Sequence, residues 1–236
     1  MTAVTGRFVR EQLRARLTRV LLIAIPVFFV LIFAGVLGEF AKALGGTLAS
    51  RSATSISAGW SAAFLSGTLA FFQVSSSRGA DRRLAAAGLG AVRVAASRIT
   101  AALLLALTVS AVAFTTLWLR SGIGHPAHAA VAILAFAAIY IGIGAAIGSL
   151  VRGPLEGSLL VVLVFTLDAL TGPQMTINGG GLGAFTPTRR AADLLIAAGS
   201  GHSSPRADWL GVAAIAAASL AVALGAFWLA AQTRRA

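Results

Sequence analysis

Residues 20–38 read VLLIAIPVFFVLIFAGVLG, a run with no charge, amide or hydroxyl. A helix crosses the hydrocarbon of a bilayer with about 17–25 predominantly apolar residues. The run meets that length, so it is read as a membrane span. It is longer than the apolar core of a signal peptide, about 7–15 residues, so the AKA at 41–43 is read as part of the chain and not as a cleavage site. Five further apolar runs follow, at about Ala58–Val74, Ile99–Leu119, Ala129–Leu150, Leu155–Thr171 and Leu210–Ala231. The expected fold is an all-α polytopic membrane protein with six transmembrane helices. The second run is rich in small and polar residues and is expected inside the bundle. Residues 1–18 form an amphipathic lead, and 19–236 the six-helix transmembrane domain.

Hydrophobic residues make up 58% of the chain and charged residues 11%. A soluble domain carries about 25% charged residues, so the chain falls outside that class. Its net charge of +12 then reports membrane orientation rather than nucleic-acid binding. There is no cysteine, so disulfides and thiolate metal sites are excluded.

Orientation follows from the basic residues. With the N-terminus inside, the inner segments hold Arg7, Arg10, Arg14, Arg16, Arg19, Arg78, Arg82, Arg83, Arg93, Arg98, Arg152, Arg234 and Arg235. The outer segments hold only Lys42, Arg51, Arg120, Arg189, Arg190 and Arg206. The bias expects both termini in the cytoplasm. In the lead, Arg7, Arg10 and Arg14 share one helical face, as expected of a helix lying in the interface.

The segment between the second and third runs, SSSRGADRRLAAAGLGAVRVAASRI at 75–99, is too patterned for a plain tether. Asp81 suits a helix start, Ala80–Ala87 favours helix, Gly88 and Gly90 favour a break, and helix resumes at Ala91. The reading is a short helix, a bend and a re-entry. Its arginines either meet lipid phosphate or dock a cytoplasmic partner.

The chain resembles the permease subunit of ATP-binding-cassette exporters of the ABC-2 type. Four features carry this: the basic amphipathic lead; RGADRRLAAAGLGAVRVAASRI at 78–99; AIYIGIGAAIGSLVRGPLEGSLLVVLVFTLDALTGPQM at 138–175; and FTPTRRAADLLI at 185–196. The likeness runs over nearly the whole chain. It departs from the family at the coupling segment, where only Asp81 is acidic and Gly88 stands where a proline is usual. It implies a cytoplasmic coupling helix between helices 2 and 3, with Arg78, Asp81, Arg82, Arg83 and Arg93 as contacts to the ATPase. It also implies an outer helical segment between helices 5 and 6. The implied partners are a cytoplasmic ABC ATPase subunit, a second permease copy or paralogue, and membrane lipids. ATP and Mg would belong to the ATPase, with no cofactor in this chain, which is not itself expected to be an enzyme. The implied location is the cell inner membrane. The expected cargo is a hydrophobic or amphipathic drug, lipid or lipid-like metabolite moving outward. No G-x-x-x-x-G-K-[ST] phosphate loop occurs in the sequence.

Asp168 stands within the fifth run. A carboxylate at the centre of a span costs about 2.5–3.5 kcal/mol on insertion scales, less near the interface. Either it lines a translocation path or gate, with Arg189 and Arg190 the nearest outer cations, or it ends the span at the interface. Trp60, Trp118, Trp209 and Trp228 fall near span ends and are read as interfacial anchors. Gly144 and Gly148 are spaced for close helix approach, either inside the bundle or at a dimer contact. The alternatives are an ion-coupled secondary transporter and an accessory structural subunit. A hydrolase built on Ser66 lacks a histidine within a span, and His125 and His128 lack a third metal ligand nearby.

Overall fold

The computed structural model of the chain describes residues 2–14, 16–173 and 186–232. The architecture is all helical, with no sheet among the described residues. In order come α1 (Thr2–Arg14), α2 (Arg16–Phe28), a π-helical turn (Phe29–Phe33), α3 (Ala34–Ala43), α4 (Ser50–Ser75), α5 (Arg78–Leu84) and a second π-helical turn (Ala85–Leu89). Then follow α6 (Ala91–Ser121), α7 (Pro126–Leu150), α8 (Pro154–Leu170), α9 (Arg189–Ser200) and α10 (Arg206–Gln232).

Among the described residues five helices are long and apolar enough to cross a membrane: Thr18–Ala43, Ser50–Ser75, Val92–Ser121, Pro126–Leu150 and Arg206–Ala230. The chain is an all-α, multi-span helical bundle with the character of a polytopic membrane protein. The fifth expected crossing, α8, is the exception. It has 17 residues and a rise of about 25 Å, short of a hydrocarbon core of about 30 Å. Pro154 starts it and Thr171 closes it. The described residues therefore carry five clear candidate spans and one short apolar helix, where the sequence led us to expect six crossings with the fifth of them short.

The centre of the bundle is the pair α4 and α7. α4 is buried along most of its length, as its small and polar composition predicts. The two backbones approach closely because Gly144 faces the carbonyl of Gly67, and Gly148 faces the carbonyl of Phe71. A Cβ at Gly144 would run into that carbonyl. The glycine pair at 144 and 148 thus serves packing within the chain. On another face of α7, Gly142 admits the backbone of Ser219 from α10.

Apolar side chains remain exposed on the outside of the bundle. Leu155, Leu159, Leu163 and Leu167 form an i, i+4 stripe down α8. Val20, Ile23, Leu31 and Val36 are exposed on the first span, and Leu210, Val222 and Leu229 on α10. A protein surrounded by water rarely shows contiguous apolar surface on this scale; hydrocarbon solvates it without cost.

Trp60 corrects one expectation. It is 1% exposed and packs inside the bundle, so it is no interfacial anchor. The reason is the length of α4, which starts at Ser50 and places Trp60 about 15 Å down the helix. Trp118 and Trp228 are exposed, as anchors should be.

Candidate functional site

Two constellations gather the polar side chains of the bundle. The first lies at the end where α4 turns into α5, called here the elbow. The bend expected at the two glycines is present. Gly88 has φ 100° and Gly90 φ 74°, left-handed values that a side chain would strain, and they redirect the chain between α5 and α6. The turn brings Asp81 against Arg98. Arg98 Nη2 donates to Asp81 Oδ1 at 2.7 Å, and its Nε reaches Oδ1 at 3.1 Å and Oδ2 at 3.2 Å. Both groups are buried. The guanidinium also lies 3.8 Å from the centre of the Phe8 ring, so one side chain binds α1, α5 and α6 together. Arg78 reaches a third partner. Its Nε donates to the Gly148 carbonyl at 2.9 Å, and its Nη2 to the Gly148 and Val151 carbonyls. It caps the C-terminus of α7, where a cation satisfies orphan carbonyls and the helix dipole.

The expected coupling residues therefore occupy different situations. Arg78 and Asp81 are turned into the fold. Arg83 and Arg93 are exposed, with Arg83 only weakly tied back to the Gly79 carbonyl at 3.4 Å. The Arg82 side chain lies outside the described part. Arg7, Arg10 and Arg14 all face outward from α1, while Thr5 and Phe8 turn inward.

The second constellation surrounds Asp168, which is 3% exposed. Tyr140 of α7 donates its hydroxyl to Asp168 Oδ2 at 2.8 Å. Thr188 donates Oγ1–H to the same oxygen at 2.7 Å and its backbone N–H to Oδ1 at 3.4 Å. Thr188 is the residue that opens α9. The first turn of α9 holds Arg189 and Arg190 and no acid, which opposes its own dipole; Asp168 supplies the missing negative charge from α8. Arg189 and Arg190, expected near Asp168, do not pair with it among the described residues. The Arg190 guanidinium instead lies against Gly211 of α10.

α9, the helical segment expected between helices 5 and 6, lies along the first part of α7. Its C-terminal end meets the start of α7, where His125 N–H donates to the Ala198 carbonyl at 3.0 Å and Gly124 packs on Gly201. Its N-terminal end meets Asp168 and Tyr140. Tyr140 stands about 21 Å along α7 from Pro126, so α9 dips deep into the bundle beside α4 and α7. Gly59 and Gly199 make room for it, against Leu195 and Ser55 respectively. The glycine-rich residues 174–185 that lead into it lie outside the described residues.

Aromatic rings complete the site. Phe165 stands one turn before Asp168 on the same face of α8. Around it are Phe64 at 5.0 Å between centroids, Tyr140 at 6.0 Å, Phe29 at 6.4 Å and Trp60 at 6.5 Å. Phe33 lies beside Phe29 at 4.8 Å between centroids, the rings tilted by 38°. The π-helical turn at Phe29–Phe33 follows Pro26, which cannot donate to the preceding turn, and it aims both phenylalanines at α4. Trp60 Nε1 is buried with no hydrogen-bond partner among the described residues.

Sequence reasoning singled out Asp168 but missed Tyr140, Thr188 and Arg98. Tyr140 is the only tyrosine in the chain and stands in an otherwise apolar helix. That isolated hydroxyl was the available signal. No protein-family model matches this sequence, and no curated protein matches it.

Proposed function

We propose that this chain is a membrane permease that works as the transmembrane unit of an ATP-driven exporter of the ABC-2 type. One observation carries the reading: the elbow is built as a rigid lever. Arg98 ties it to α1 and α6, Arg78 ties it to the end of α7, and Arg83 and Arg93 remain exposed on it. A push on that exposed surface reaches α7, and α7 carries the Tyr140 hydroxyl that holds Asp168. A two-state bundle biased at one end and gated at the other is the physical minimum for coupled transport. In this reading the elbow and both termini face the cytoplasm, α8 is the fifth of six crossings, and the membrane is the cell inner membrane. Two permease copies, or one with a paralogue, meet two ATPase subunits that hold ATP and Mg. The cargo is hydrophobic or amphipathic, in keeping with the aromatic wall beside Asp168.

Affinity isolation from native membranes tests the assignment. A P-loop ATPase should accompany the chain, and its hydrolysis should respond to substrate only when the permease is present. Isolation of a chain that transports alone, driven by an ion gradient, would replace the exporter with a secondary transporter. The specific observation favouring that second reading is a buried carboxylate, Asp168, with only neutral donors around it.

A further inference from the structure

We propose that the Asp168 site binds an organic cation, a positively charged nitrogen or phosphorus centre carried on an apolar body. The proposal rests on the reading of the chain as a transporter and names the chemical class of its ligand.

The argument begins with unspent acceptor capacity. Asp168 Oδ2 takes both short hydrogen bonds, from Tyr140 and Thr188, at 2.8 and 2.7 Å. Oδ1 takes one long contact, at 3.4 Å from the Thr188 N–H. A carboxylate has about four acceptor positions, so the Oδ1 side is under-used. Among the described residues no cation pairs with this group, whereas the fold's other buried carboxylate, Asp81, has Arg98. A buried charge is ordinarily paired. Here the fold supplies no cation among the described residues, and a cationic ligand would supply it.

The surroundings define what can arrive. Phe64, Phe29 and Trp60 each have ring centroids within 5.0–6.5 Å of Phe165, one turn before Asp168 on α8. Aromatic faces attract cations, Trp most strongly, and attract them more in a dry site than in water. A small hydrated metal ion would find one carboxylate and no group of three His, Asp or Glu ligands among the described residues. A neutral lipid would leave the carboxylate unpaired. A lipophilic cation satisfies both the rings and the charge.

The route is also defined. The first span and α8 both pack on α4, and their rings meet at Phe29 and Phe165. Phe29, Phe33 and Phe64 are only partly buried and line this seam, while the exposed leucine stripe of α8 lies on its opposite face. Parting Phe29 from Phe165 opens a lateral path from hydrocarbon to Oδ1. Trp60, whose buried Nε1–H has no partner among the described residues, lies in the same wall and offers a donor to an acceptor the ligand carries.

The test uses the full-length chain, purified in lipid nanodiscs without any ATPase. Tetraphenylphosphonium is the cation probe, and tetraphenylborate is the anion of the same shape. The wild type should bind the cation saturably and in preference to the anion. Asp168→Asn should weaken cation binding at least about tenfold and leave anion binding unchanged; a desolvated charge pair lost from a dry site accounts for that scale. Trp60→Phe should weaken cation binding about threefold to tenfold, while Trp118→Phe should not change it. Equal affinity of the cation for wild type and Asp168→Asn would overturn the proposal. If that variant does not fold, the wild type decides: absence of a preference for the cation over the anion overturns it equally. Because no ATPase is present, a negative result here leaves the exporter assignment to its own isolation experiment, and a failed isolation leaves a positive binding result standing.

Discussion

The bundle buries two aspartates and treats them in opposite ways. Asp81, at the elbow, accepts three contacts from one guanidinium and is fully paired. Asp168, deep between α7, α8 and α9, accepts only from hydroxyls and a backbone N–H. Both are almost fully buried. The difference teaches what each is for. A neutral ion pair holds a shape and resists change, because separating it strands a charge. A carboxyl group held by neutral donors has no built-in counter-charge, and the donors that hold it sit on two other elements, Tyr140 on α7 and Thr188 at the start of α9.

The largest effect should come from breaking the pair. Arg98→Ala leaves Asp81 buried without its partner, a change that ordinarily costs about 3–5 kcal/mol. It also removes the contact with Phe8. Thermal melting in detergent should show a fall of many degrees, and α1 should become susceptible to protease. The double variant Asp81→Leu, Arg98→Met should recover most of the loss, because no charge is then stranded. Persistence of the full loss in the double variant would mean that the pair is not the source of the stability.

Next in size is the contact on which both constellations depend. Gly144→Ala places a methyl against the Gly67 carbonyl in the centre of the α4–α7 pair, with no flexible side chain to yield. Overpacking of this kind costs about 1–3 kcal/mol. The substitution should lower the melting temperature moderately and separate Arg78's grip on α7 from the position of Tyr140. Gly35→Ala is the control, since nothing lies near its position. Equal effects at the two glycines would place the close approach elsewhere.

Smaller again in stability, though not in function, is Asp168→Asn. The amide oxygen can still accept from Tyr140 and Thr188, and no cation is stranded, so melting should shift by about 1 kcal/mol or less. Transport should nevertheless fall by at least about tenfold if the charge is what the cargo meets. This is the sharpest form of the comparison: one aspartate whose pairing matters to stability, and one whose charge matters to activity. A large loss of stability with unchanged transport per folded molecule would reverse the assignment.

How legible this was from sequence depends on the range of each signal. The spans follow from uninterrupted apolar runs, and the elbow's bend from Gly88 and Gly90, because both signals are local. The depth of Asp168 was open because it depends on the shortness of α8 and the path of α9, which are fixed by packing against α4 and α7. The 12-residue α9 carries an amphipathic pattern that suits a surface helix as well as one wedged between others. Arg98 is 17 residues from Asp81, beyond the three- or four-residue spacing at which helical neighbours can be inferred. Its position in the basic cluster made it one arginine among several. Tyr140 and Thr188 meet Asp168 only through the tertiary fold. Local chemistry was legible, and the pairings across helices were not.

The smallest stability effect is expected at the outer surface of the elbow, where it tests the lever most directly. Arg83 and Arg93 are exposed and spend little on the fold, so the variant Arg83→Glu, Arg93→Glu should alter melting by about 0.5 kcal/mol or less. Arg78 and Asp81 cannot serve this purpose, since changing either also disturbs α7 or Arg98. If the elbow receives force from a partner, the reversed charges should lower substrate-stimulated ATP hydrolysis in the assembled complex while cation binding at Asp168 by the isolated chain stays as in the wild type. The loss should grow as salt is lowered, because an exposed contact is less screened there and the reversed charges then repel more strongly. Loss of both hydrolysis and binding would instead point to a folding defect, and loss of neither would leave these arginines to the lipid phosphates. The two ends of α7 are thereby read separately, one by the motor and one by the ligand.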